Sequence, residues 1–101
     1  MTRQEVIEAA RVRLAGLYPM APPTIVIRDE LVEEYRWAWK VVFDTQEHLD
    51  TGDTSTLPMS RCLYVRKDNG AVEFIPSALS VKQSRYFLET GIFPPPPDFQ
   101  L

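Results

Sequence analysis

One histidine, one cysteine and a run of carboxylates are the groups of this 101-residue chain best equipped to do chemistry. His48 stands among Glu47, Asp50 and Asp53, a set that could in principle hold a cation. A structural zinc site normally takes four nitrogen or sulfur ligands, and here there is a single imidazole. The run Asp50-Thr51-Gly52-Asp53-Thr54 is similar to a calcium loop but lacks the remaining acidic positions and the closing Glu of an EF-hand. Cys62 lies in an apolar run beside Leu63, where a thiol is expected to be inert packing. A nucleophilic serine would need a histidine base and a strand-turn-helix around Gly-x-Ser-x-Gly, and that context is absent. The four glycines fall at turns or helix ends, so no phosphate-cradling loop is built from them. The expectation is a protein that binds rather than catalyses, with no cofactor and no metal.

Charge narrows the choice of partner. The net charge is −3, but between Asp29 and Asp53 eight carboxylates face only Arg36 and Lys40. Those eight are Asp29, Glu30, Glu33, Glu34, Asp44, Glu47, Asp50 and Asp53, and the rest of the chain carries an excess of base. Two readings stand open: solvated strand ends and loops, or an acidic face that steers a basic partner. Nucleic acid is not expected as a partner. Arg61, Tyr64, Arg66 and Lys67 cluster near one hairpin, yet an acidic protein without a basic stripe binds phosphate weakly at physiological salt. No apolar run approaches the roughly 20 residues that a bilayer requires. The opening Met1-Thr2-Arg3-Gln4-Glu5 leads into an amphipathic helix rather than an apolar leader, and a lone cysteine suits a reducing cytoplasm.

The elements that position these groups are legible from spacing. Thr2 and Glu5 form a capping box. Val6, Ile7, Ala10, Leu14 and Leu17 then recur at helical intervals, with Gly16 as a candidate terminator before Pro19. Four strands are predicted: Thr24 to Arg28, Arg36 to Asp44, Arg61 to Lys67 and Ala71 to Ile75. In the second, Trp37, Trp39, Val41 and Phe43 alternate on to one side, expected under the helix. The stretch Asp29 to Glu34 reads as a connection. Asp68-Asn69-Gly70 predicts a tight hairpin, either a two-residue primed turn or a three-residue bulged one. Ser80 and Gln83 open a second capped helix that runs to Gly91. Pro94 to Pro97 can join neither helix nor sheet ladder, so residues 94–101 are expected to form a stiff polyproline tail. That tail would lay Phe93 and Phe99 on the body or on a partner. The architecture is α+β: an N-terminal helix on a four-stranded antiparallel sheet, a short C-terminal helix, and a single domain over residues 1–93.

One stretch is more distinctive. Trp39, Phe43, Leu49, Thr51, Gly52 and Asp53 form a strand that runs into a helical turn ending in Thr-Gly-Asp. Farther on, Val65, Lys67, Asp68 and Gly70 form a strand that enters a Lys-Asp-x-Gly hairpin, and Tyr86, Phe87 and Leu88 lie on the closing helix. This pattern resembles the immunity protein 35 family, also called YrhB-like domains. The resemblance covers roughly Trp39 to Gly91. It implies a small bacterial protein that binds and neutralises the toxin encoded beside it. Combined with the acidic stretch, it points to Glu33, Glu34, Glu47, Asp50 and Asp53 as one acidic patch, with Tyr35 as an aromatic anchor. Two other binding classes compete. A chaperone-like domain would take unfolded clients, and a small-molecule domain would use Trp37, Trp39 and Phe43 as a pocket, although core packing accounts for those rings more simply.

Overall fold

The Thr2 hydroxyl accepts from the Glu5 amide at 3.2 Å, and the Glu5 carboxylate accepts from the Thr2 amide at 2.9 Å. This closed box starts α1, Arg3–Leu17, in a computed structural model that describes residues 1–53 and 61–101. Thr54, which closes the calcium-like run, lies outside the described residues. The inward stripe of α1 is Val6, Ile7, Ala10 and Leu14. Leu17, predicted to continue it, is exposed. Gly16 does not end the helix either, since its φ is not positive. The helix stops at Tyr18, which leaves the helical region at φ −127° because the following Pro19 disfavours it.

The sheet is antiparallel, in the order β1 (Ile25–Ile27), β3 (Ala38–Thr45), β4 (Cys62–Arg66), β5 (Val72–Phe74). A fifth strand, β2 (Glu33–Glu34), forms where the sequence predicts a connection. It pairs with the early part of β3, Glu33 opposite Lys40 and Glu34 opposite Trp39. β1 pairs with the late part, Ile25 opposite Thr45. The intervening Asp29–Leu31 is a 3-10 turn that loops out the surplus residues, so one interrupted edge follows one long strand. Central β3 joins directly to α2, Gln46–Thr51.

The hairpin between β4 and β5 is the bulged kind. Arg66 opposes both Gly70 and Ala71: its carbonyl accepts from Gly70 N, and its own N–H donates to Ala71 O, each at 2.9 Å. Gly70 sits at φ +70°, the conformation this bulge demands. Asn69 Oδ1 accepts from Ala71 N at 2.9 Å and fixes the turn. Helix α3, Val81–Thr90, opens on the predicted Ser80–Gln83 box and closes at Gly91, φ +73°.

Two cores result, one on each side of the sheet. Val6, Ile7, Ala10 and Leu14 of α1 pack on Trp39, Val41, Phe43, Leu63 and Val65. On the opposite face Ala38 and Ile75 pack against Phe87 and Leu88 of α3, with Trp37, Cys62 and Tyr64 around them. Trp37 therefore does not share the α1 side with Trp39. The strand begins only at Ala38, and the Trp37 N–H donates instead to Leu88 O at 3.0 Å. That bond turns the indole on to Phe87, with ring centroids 5.2 Å apart. The period-2 alternation fails where the chain leaves the ladder.

Candidate protein-binding site

The sequence-predicted acidic residues fall into two groups. Glu33, Glu34 and Tyr35 lie at β2, beside the start of β3. Both carboxylates are met by lysines: Lys40 Nζ is 3.8 Å from Glu33, and Lys67 Nζ is 2.6 Å from Glu34. The Tyr35 hydroxyl reaches Glu33 at 3.4 Å. Burial raises the Tyr35 pKa, the Glu33 charge adds to the rise, and the neighbouring Arg85 opposes it. Glu33 and Tyr35, but not Glu34, rim a cleft of about 200 Å³ between the sheet and α3, with Lys40, Arg85, Cys62 and Leu88 among its walls. The cleft joins an apolar floor to charged and phenolic groups, the combination that seats a single anchoring side chain.

Glu47, Asp50 and Asp53 lie at or just past α2, beyond the other end of β3. The strand separates the two groups by on the order of 20 Å, so they are two acidic spots rather than one patch. Glu47 ties the edge in place: its carboxylate accepts from Thr24 N at 3.1 Å and from the Thr24 hydroxyl at 2.8 Å. Asp50 accepts from Gln46 Nε2 at 2.8 Å. Among the described residues neither Glu47 nor Asp50 has a cationic partner, so these two charges are left to act at a distance. The Asp53 amide donates to Thr51 Oγ1 at 3.1 Å.

The Glu47 bonds carry a pH signature. Its own amide, then the Thr24 amide and hydroxyl, hold its pKa below the ordinary glutamate value. A lowered folded-state pKa stabilises above about pH 4.5 and is lost as pH falls through the folded value. Thermal unfolding followed from pH 7 to pH 3 is therefore expected to show Glu47→Gln less stable than wild type at neutral pH. The gap should close on acidification, and a constant gap would contradict the assignment.

His48 does structural work with Asp44, counted in the sequence only as one of eight carboxylates. Asp44 is 4% exposed. It accepts from Thr45 N at 2.8 Å and lies 3.1 Å from His48 Nδ1 and 3.6 Å from Arg61. The Thr45 hydroxyl accepts from His48 N at 3.1 Å and caps α2. Among the described residues no three His, Cys, Asp or Glu side chains are grouped to hold a metal ion, and no helix is long and apolar enough to cross a membrane.

The sequence matches the family described as Immunity protein 35 over residues 4–89. The chain belongs to the immunity protein 35 family. The match spans both cores, the Glu33–Tyr35 cleft and α2, so the whole scaffold that carries the two acidic spots is that of an immunity protein. No curated protein and no solved structure matches the chain. Arg85 and Lys40, which complete the immunity-protein cleft, were not singled out by sequence. Helical spacing of Arg85 from Leu88 would place it on the inner edge of α3, but nothing local announces its approach to Tyr35.

Proposed function

We propose that this protein binds and neutralises a cognate bacterial toxin in the cytoplasm of the cell that makes it. The observation that carries the reading is the family match over residues 4–89. The mode of action is occlusion by binding rather than catalysis. The α2 end, with Glu47, Asp50 and Asp53, steers a basic surface of the toxin. The Glu33–Tyr35 cleft receives an anchoring side chain. Steering acts chiefly on the association rate and weakens with salt, whereas a seated anchor acts on dissociation.

Co-expression tests the reading. The toxin encoded beside this gene should arrest growth alone, and growth should recover when this chain is supplied in trans. Continued arrest at full expression of a folded protein would contradict it. Stopped-flow association with an inactivated toxin domain separates the two acidic spots. Asp50→Lys is expected to slow association about tenfold at low salt while leaving dissociation nearly unchanged. An unchanged association rate would remove the α2 end from the mechanism.

A further inference from the structure

A strand in an antiparallel sheet has two hydrogen-bonding sides, and β5 uses only one of them. Arg66 N donates to Ala71 O, and Ile75 N donates to Cys62 O, each at 2.9 Å. The main-chain groups of the alternate residues Ala71, Glu73 and Ile75 therefore turn to β4, and those of Val72 and Phe74 turn outward. Among the described residues no strand lies beyond β5, so the N–H and C=O groups of Val72 and Phe74 are left unpaired by the sheet. The opposite edge differs, being two short strands broken by the turn Asp29–Leu31. The chain's own tail is held elsewhere, on α3. The Ser80 hydroxyl donates to the Asp98 carboxylate, and the Phe93 ring meets the Phe87 ring edge-on with centroids 5.7 Å apart.

Beside this edge runs a groove of about 750 Å³ whose other wall is α1. Glu5, Ala9 and Val12 line it from one stripe of the helix, across from Gly70, Ala71 and Val72. Val12 is 65% exposed there. An edge strand and a helix with a channel between them suit strand addition: main-chain bonds hold an extended segment, and its alternate side chains enter the channel. The exposed Glu73 decides between occupants. Among the described residues it has no cationic partner. If β5 paired about a two-fold axis with the β5 of a second copy, Val72 opposite the second copy's Phe74, the two Glu73 carboxylates would stand directly opposite each other. Like charges so placed are destabilising, whereas a Lys or Arg in that position is favoured. Ile75, two residues on from Glu73, lines the Glu33–Tyr35 cleft, so one partner can cover the edge and the cleft together.

We propose that β5 receives an extended strand of the cognate toxin domain, which lies in the groove between β5 and α1. The strand exchanges main-chain hydrogen bonds with Val72 and Phe74 and sets a Lys or Arg opposite Glu73. The residues on either side of that base share the face of Val72 and Phe74, which pack on the α1-side core, so they are apolar and turn toward Val12. Pro76 has no N–H to offer, and the hairpin turn at Gly70 closes the other end. The recognised segment is therefore short, with the pattern apolar, basic, apolar. The inference rests on the immunity reading.

Amide hydrogen exchange on the full chain, read by NMR with and without the inactivated toxin domain encoded beside the gene, tests the pairing directly. The Val72 and Phe74 amides should exchange fast in the free chain and become protected in the saturated complex. Calorimetry adds the side chains. Glu73→Lys and Val12→Lys both alter exposed positions and are each expected to weaken binding about tenfold or more, with melting temperature nearly unchanged. Met20→Lys makes the same change at a residue 77% exposed in the α1–β1 connection and should leave affinity unaltered. Fast exchange of Val72 and Phe74 in a saturated complex would overturn the strand addition while leaving the immunity reading intact. Equal losses for Val12→Lys and Met20→Lys would overturn the groove as the site. Protection of the two amides in the free chain that grows with its concentration would assign the edge to a second copy instead. Failure of wild type to bind the toxin at all would overturn the immunity reading and the strand addition with it.

Discussion

Phe43→Ala is expected to lose about 3–5 kcal/mol of folding free energy, the range for emptying a large aromatic site in a packed core. Phe43 is 0% exposed, at the centre of the α1-side core, with the rings of Tyr18 and Phe74 at 6.3 and 6.2 Å. It lies on the one strand that pairs with β1, β2 and β4, so a void there loosens the contact of α1 with the whole sheet. Against a total stability of about 5–15 kcal/mol for a domain of this kind, the loss is a large fraction. Urea unfolding monitored by circular dichroism should show the midpoint fall with the slope conserved. Phe43→Leu keeps most of the volume and should lose well under half as much. Similar midpoints for Phe43→Ala and wild type would mean that α1 is not clamped through this ring.

Gly91→Ala should have the next largest effect, about 2–4 kcal/mol from two terms. The residue sits at φ +73°, where a side chain is strained. An added Cβ would also come within 2.6 Å of Trp37 Cε2. Gly52 supplies the matched control. It closes α2 at φ +71° and ψ 9°, against +73° and 8° for Gly91, but among the described residues a Cβ there meets nothing within 4 Å. Gly52→Ala therefore carries the backbone strain alone, about 1–2 kcal/mol. The excess at Gly91 measures the collision with the indole. Thermal unfolding of the pair, with Trp fluorescence as a second reading, checks it. Equal losses would show that Trp37 yields freely. The contact matters for function because Trp37 joins α3 to the sheet. Its N–H donates to Leu88 O, and its carbonyl accepts from Lys67 N at 3.1 Å. α3 in turn carries Arg85 to the cleft and Ser80 to the tail.

Features decided within a few residues were legible in the sequence. Thr2 with Glu5 and Ser80 with Gln83 name their caps by spacing alone, and Asp68-Asn69-Gly70 names a tight hairpin though not which of its two kinds, because each motif closes its own hydrogen bonds. Features decided by distant partners were not. Trp37 obeys an alternating pattern on paper, but the carbonyl of Leu88, far along the chain, takes its N–H and rotates it out of that pattern. β2 exists because Asp29–Leu31 can loop out and return the chain to the edge of β3, which composition does not reveal. The acidic stretch reads as one patch in the sequence because its members are near one another along the chain. The eight-residue β3 between Glu34 and Glu47 carries them apart, and the predicted strand length already implied that separation. The His48–Asp44 pair spans a strand-to-helix junction whose geometry depends on where the strand stops.

The central claim is that the protein acts by binding one toxin. Isothermal titration of the full chain into the inactivated toxin domain encoded beside its gene, paired with an assay of the active toxin, tests it most directly. The account predicts a saturable one-to-one complex and loss of toxin activity at the same molar ratio. No heat of binding, with toxin activity undiminished by an excess of folded protein, would contradict it.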